Sequence, residues 1–168
     1  MQTRRFSASA SVVILFLLLL TSCSEDPGDQ TGQAVDTTHQ WSETKWLEVT
    51  DEVEPEVWLV SREANVDVAP NHPRLPIVRA SLQAAAHRFR ESPRMIANRA
   101  AQLESMLSET DKQESAVQLI GQLTNVVGEA GQTEGFGAIS QHYFNMRSSG
   151  LDTNAALQRL KTRYGSRK

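Results

Sequence analysis

Cysteine is almost missing from this chain: Cys23 is the only one in 168 residues. No disulfide can form within the chain, and no cysteine-rich metal set exists, so the fold must hold by packing and hydrogen bonding. Long apolar runs are missing as well. The longest, residues 12–20, is about half of the roughly 18 residues that a helix needs to cross the hydrocarbon core of a bilayer. The spacings that mark common enzymes do not occur. There is no Gly-x-Ser-x-Gly elbow, no phosphate loop, no dinucleotide fingerprint and no His-Glu-x-x-His pair. Aromatic residues make up only 6% of the chain, and Trp41, Trp46 and Trp58 crowd into one short stretch of it. That stretch must therefore touch something.

What is present begins at the N-terminus. Arg4 and Arg5 precede the apolar run of residues 12–20, and the small residues Thr21 and Ser22 follow it. This is the layout of a secretory signal rather than of a membrane span. Leu20-Thr21-Ser22-Cys23 resembles the lipobox of bacterial lipoproteins at every position. The resemblance covers about the first 25 residues. It implies cleavage after Ser22 and a diacylglyceryl group on the Cys23 thiol, with acylation of the new amino group. Two or three acyl chains, at about 0.8 kcal/mol per buried methylene, anchor a protein stably where one does not. Ser24, rather than Asp, follows the cysteine. By the sorting rule of Gram-negative lipoproteins this implies the outer membrane, with the protein facing the periplasm.

The charge is unevenly spread. Residues 24–70 carry a net charge of −10 and residues 71–168 a net charge of +5. An acidic arm lying against a basic domain, or competing with an anionic partner for it, is one reading; two solvated surfaces of drifting composition is the other. Residues 23–40 hold the lipidated cysteine and a flexible acidic linker with almost nothing to bury. Residues 41–75 form a tryptophan-bearing arm ending in a proline-rich connector, and residues 76–168 form the folded domain. Within the arm, residues 55–64 open on Pro55, which suits a first helical position. Val57-Trp58-Leu59-Val60 alone reads equally well as a strand; a short helix burying Val57, Val60 and Ala64 is the reading preferred.

Beyond residue 75 every periodicity is helical. Val78, Leu82, Ala85, Ala86 and Phe89 predict a helix over about 76–90. Ser92-Pro93 reads as the cap and first residue of a second, with Ile96, Ala100, Leu103 and Leu107 buried and Met95 and Met106 beside them. Thr110 and Gln113 have capping-box spacing ahead of a third helix that buries Val117, Ile120, Leu123 and Val127 and ends at Gly128. Residues 129–137, with Gly131, Gly135 and Gly137, predict a mobile loop. Phe136, Ile139, Tyr143 and Met146 mark a fourth helix. Asp152 caps a fifth, with Leu157, Leu160 and Tyr164 inside. The expected fold is all-α: a small bundle of four to five helices preceded by a disordered tether and a tryptophan-containing arm.

Little in this pattern points to chemistry, and no catalytic residue, metal site or cofactor is assigned. His72, His87 and His142 lie on three different elements with no i, i+4 pair, so a metal site is not expected. Arg88, Arg90 and Arg94 surround the helix start at Ser92-Pro93, an arrangement suited to an anion or to a partner's carboxylate, although Glu91 and Glu104 can satisfy the same arginines internally. Trp41, Trp46 and Trp58 either pack the arm onto the bundle or form an exposed interface. The basic C-terminus, from Lys161 to Lys168, either complements a helix dipole or meets anionic envelope material. The expected partners are the bilayer, through Cys23, and an envelope protein; nucleic acid is not expected across an export signal. The resulting reading is a non-enzymatic lipoprotein serving as an accessory, assembly or scaffolding subunit of an envelope complex. The alternative is a module that binds cell wall or an anionic ligand through a basic helical face. Cys23→Ser should abolish lipidation and membrane retention while leaving the circular dichroism of the bundle unchanged. A variant that still sediments with membranes after a salt wash would contradict the lipobox reading.

Overall fold

The computed structural model describes residues 40–128 and 134–165. A short 3-10 turn, Trp41–Glu43, leads into six helices: α1 Pro55–Ala64, α2 Leu75–Phe89, α3 Pro93–Ser108, α4 Ala116–Val126, α5 Phe136–Ser148 and α6 Thr153–Tyr164. No strand occurs among the described residues. The helix of residues 55–64, preferred over a strand on the strength of Pro55, is therefore the first of six. It raises the expected count of four to five. The linker over residues 23–39 and most of the predicted glycine loop, residues 129–133, lie outside the described residues.

Helix α3 is the hub, packing on α1, α2, α4 and α5, while α6 packs on α4 and α5. Its stripe is the one the periodicity predicts: Ile96, Ala100, Leu103 and Leu107 are all buried. Small residues at Ala97, Ala100 and Ala101, also buried, let the neighbouring helices approach closely. Ser92 caps α3 by accepting a hydrogen bond from the Met95 amide, with Pro93 in the first turn. Asp152 caps α6 by accepting from the Ala155 amide.

Two local expectations are corrected. The capping box belongs to Ser115 and Gln118, not to Thr110 and Gln113. Thr110 instead closes the end of α3, its hydroxyl donating to the Leu107 carbonyl, and Asp111 then turns the chain at φ 58°. Both sites fit the same sequence pattern, and the apolar face of α4 decides between them. Starting at Ala116 buries Leu119, Ile120, Leu123 and Val126 together. In α1 the buried face is Trp58, Leu59 and Ser61 with Val60; Val57 is half-buried and Ala64 exposed. An indole and a leucine exclude more apolar area than Val57 and Ala64, so the helix turns them inward.

Trp58 is fully buried and is the largest of the fully buried side chains. Its Nε1–H donates to the Thr44 carbonyl at 3.0 Å, and the Arg62 guanidinium lies 5.1 Å from its ring centre. The segment before α1 is held by α3. The amide side chain of Asn98 accepts from the Leu47 N–H at 2.8 Å and donates to the Leu47 carbonyl at 2.9 Å, as a neighbouring strand would. One turn earlier, Arg94 donates to the carbonyls of Glu48, Asp51 and Val53 at 3.0, 2.9 and 3.0 Å. The arm and the bundle thus share one core. Asn98→Ala should destabilise the fold by about 1–3 kcal/mol, since it leaves both backbone groups of a buried Leu47 without partners. Arg94→Ala, which leaves three arm carbonyls without their donor, should likewise lower the single unfolding transition of the whole domain, and the segment around residues 48–53 should become open to protease only as that transition proceeds. Urea denaturation and limited proteolysis check the pair.

Candidate functional site

The three arginines flagged around the start of α3 do not converge. Arg88 donates to the carbonyls of Val127 and Gly128, closing the end of α4. Arg94 is spent on the three carbonyls of the arm. Arg90 is exposed and holds a left-handed backbone, φ 56°, as the C-cap of α2. A guanidinium is drawn to any unsatisfied carbonyl within reach, and the end of α4 and the loop before α1 offer several. The expected anion site at Ser92-Pro93 is therefore not assembled. Glu91 and Glu104 do pair with arginines, but with others: Glu91 with Arg99 at 2.7 Å and Glu104 with Arg62 at 3.1 Å.

Those two carboxylates cap neighbouring helices. Glu91 Oε1 accepts from the Phe136 N–H at 3.0 Å, the first amide of α5. Glu104 Oε1 accepts from the Ala116 N–H at 2.9 Å, the first amide of α4. A carboxylate is favoured at a helix N-terminus by the free amides and the dipole together. Gly135 and Gly137 gain their meaning here. A Cβ at Gly135 would overlap Glu91 Oε1, and one at Gly137 would lie 2.8 Å from Arg99 Nη1. The glycines admit the ion pair to the end of α5.

The tryptophans also separate. Trp58 belongs to the core, so the interface role expected of it is closed to it. Trp41 packs partly on the core. Trp46 remains 39% exposed, with the Lys45 ammonium 5.6 Å from its ring centre. The histidines lie apart: His72 Nδ1 accepts from the Arg74 N–H, His87 is exposed, and His142 meets Tyr164. Among the described residues no group of three histidine, cysteine, aspartate or glutamate side chains is placed to hold a metal ion. No helix among them is long and apolar enough to cross a membrane.

Two clusters were not legible from sequence spacing. In the first, Glu114 receives the Tyr143 hydroxyl at 2.5 Å and Arg147 Nε at 2.9 Å, and Thr153 Oγ1 lies 3.4 Å away. Arg147 also donates to the Leu151 carbonyl at 2.5 Å. Both members of the Glu114–Arg147 pair are largely buried. The cluster ties the α3–α4 loop to α5 and to the start of α6. Burial, reinforced by the hydrogen bond to Glu114, pushes the Tyr143 hydroxyl up to about 12 from 10.0. It stays protonated and serves as a donor, which suits a strut and not a nucleophile. In the second cluster, His142, Asn145 and Met146 of α5 face Arg159, Leu160 and Arg163 of α6 across a cleft of about 290 Å³. Of these, His142 is held by Tyr164, whose hydroxyl is hydrogen-bonded to His142 Nδ1 with the two rings 5.6 Å apart.

The raised Tyr143 value fixes the sign of an alkaline effect. In the unfolded chain the hydroxyl loses its proton near pH 10, and in the folded chain near pH 12. Its contribution is therefore complete below pH 10 and is lost as pH rises towards 12, by up to about 2–3 kcal/mol. Tyr143→Phe should be less stable than the parent by about 1–3 kcal/mol near pH 8, because Glu114 loses a donor. The gap should narrow as pH rises, which denaturant titrations at several alkaline pH values measure.

No curated protein and no solved structure gave a match. A family model described as MoxZ matches residues 56–165, from α1 through the residue after α6. The match begins at the second residue of α1 and takes in the five helices that follow. The chain belongs to the MoxZ family, a family of accessory type.

Proposed function

We propose that this protein is a lipid-anchored accessory subunit, tethered through Cys23 to the outer membrane on its periplasmic side, that docks on a protein complex of the methanol dehydrogenase type and turns over no substrate itself. The observation that carries the reading is the MoxZ match over residues 56–165, which points to accessory proteins of such systems. The lipobox resemblance at Leu20-Thr21-Ser22-Cys23 supports the address. The internal polar chemistry supports the absence of turnover. Glu91, Glu104 and Glu114 are each hydrogen-bonded to an arginine and to a backbone amide or a tyrosine hydroxyl of the same chain, which is a structural use of these carboxylates.

Crosslinking in intact cells, followed by detergent extraction and affinity capture of the tagged chain, tests the reading. The expected result is one defined complex that contains dehydrogenase-type subunits and is recovered in fixed proportion. Recovery of the chain alone would contradict it. Retention of the purified chain on peptidoglycan, abolished by salt, would favour the cell-wall binding alternative.

A further inference from the structure

The arginines of this fold are nearly all committed. Arg62, Arg74, Arg79, Arg99 and Arg147 pair with carboxylates. Arg88 and Arg94 bind backbone carbonyls. Arg159 and Arg163 do neither, nor does Arg90, exposed at the end of α2: among the described residues no carboxylate or carbonyl bonds to any of the three guanidinium groups, and only Arg159 and Arg163 stand together at a cleft. They stand one turn apart on α6, so their side chains rise from the same face, and both line the α5–α6 cleft. A cation near a helix C-terminus is favourable by itself. The dipole accounts for the sign of these residues but not for the cleft they share, which Met146, Leu160, His142 and Asn145 also line.

The parts are complementary to a particular kind of ligand. Met146 and Leu160 offer apolar contact, and methionine adapts to irregular side chains. The guanidinium of Arg163 lies 5.4 Å from the Tyr164 ring centre, and that ring is in turn held by the bond from its hydroxyl to His142. Arg163 is thereby partly oriented before any ligand arrives, which lowers the entropy lost on binding. Among the described residues no carboxylate lines the cleft. Two planar donors beside apolar side chains fit carboxylates carried beside aliphatic side chains, and about 290 Å³ holds a few side chains rather than a folded surface.

We propose that the α5–α6 cleft is a docking site for an acidic segment of a protein partner, with Arg159 and Arg163 binding its carboxylates and Met146 and Leu160 receiving a neighbouring aliphatic side chain. This deepens the accessory reading and rests on it. Charge complementarity favours a peptide over a lipid surface, because a bilayer is met by broad, flat cationic faces, whereas these two arginines flank a narrow apolar slot.

The test uses the full chain and a fluorescent peptide alternating leucine and glutamate, with a leucine–glutamine counterpart as control. The chain should prefer the acidic peptide by about tenfold or more, and Arg159→Gln with Arg163→Gln should remove that preference while leaving circular dichroism unchanged. Met146→Gln, which keeps the charge, should weaken binding of the acidic peptide without abolishing its salt dependence. Equal binding of both peptides by the parent chain would overturn the inference. So would binding to phosphatidylglycerol vesicles, relative to phosphatidylcholine, that depends on the two arginines and is not displaced by the peptide. In cells, a double variant that still recovers the crosslinked complex at parental yield sinks the cleft and leaves the accessory reading standing. Failure of the parent chain to recover any complex removes the accessory reading, and the cleft's occupant with it.

Discussion

A backbone amide or carbonyl that is taken out of water must find a partner, and α3 with the loop before it supplies partners to three of its neighbours. Asn98 completes both hydrogen bonds of Leu47, and Arg94 gathers three carbonyls of the arm. Glu104 caps α4, and Glu91, just ahead of α3, caps α5. Each is a charge-assisted or two-centred bond, the stronger kind. Without them the arm has no reason to stay down and two helices lose their first bonds. Trp58 sets the stakes. Burying an indole of this size is worth about 4–6 kcal/mol by area, and its ring is covered only while the segment around Thr44 is held in place.

This economy shapes the surface. Among the described residues most guanidinium groups are turned inward or along the surface to a partner in the same chain, so much of the net charge of +5 over residues 71–168 is spent internally. The acidic arm does meet basic residues, through Glu56 with Arg79 and Glu63 with Arg74. The arm is also held at its carbonyls by Arg94, and at Leu47 by Asn98, a neutral residue. Arg159 and Arg163, which line the cleft between α5 and α6, are among the arginines not committed in this way.

The helices were legible because their apolar periods are strong and their caps are local. Ser92-Pro93 and Asp152 act within three residues of themselves, and a sequence window contains both partners. The site was less legible because its partners are distant. Arg94 appeared to face an anion beside Ser92-Pro93, but its acceptors lie more than forty positions earlier. Glu91 finds Phe136, and Glu114 finds Tyr143 and Arg147. Nothing in a single sequence couples such positions. The glycines at 135 and 137 carried a signal that was read as mobility; their compactness serves the approach of Glu91 and Arg99. The capping box was misplaced by five residues because two serine or threonine sites met the same local rule, and only burial of the α4 face separates them.

The central claim is that the arm and the bundle are one cooperative unit joined by α3. Native-state hydrogen exchange tests it directly, by comparing the Leu47 amide and the Trp58 indole N–H with the Ile120 and Leu123 amides of α4 across low denaturant. The account predicts that all four exchange with the same free energy and the same denaturant slope, because the arm opens only when the core does. Exchange of Leu47 and Trp58 through an opening that leaves the α4 amides protected would contradict it.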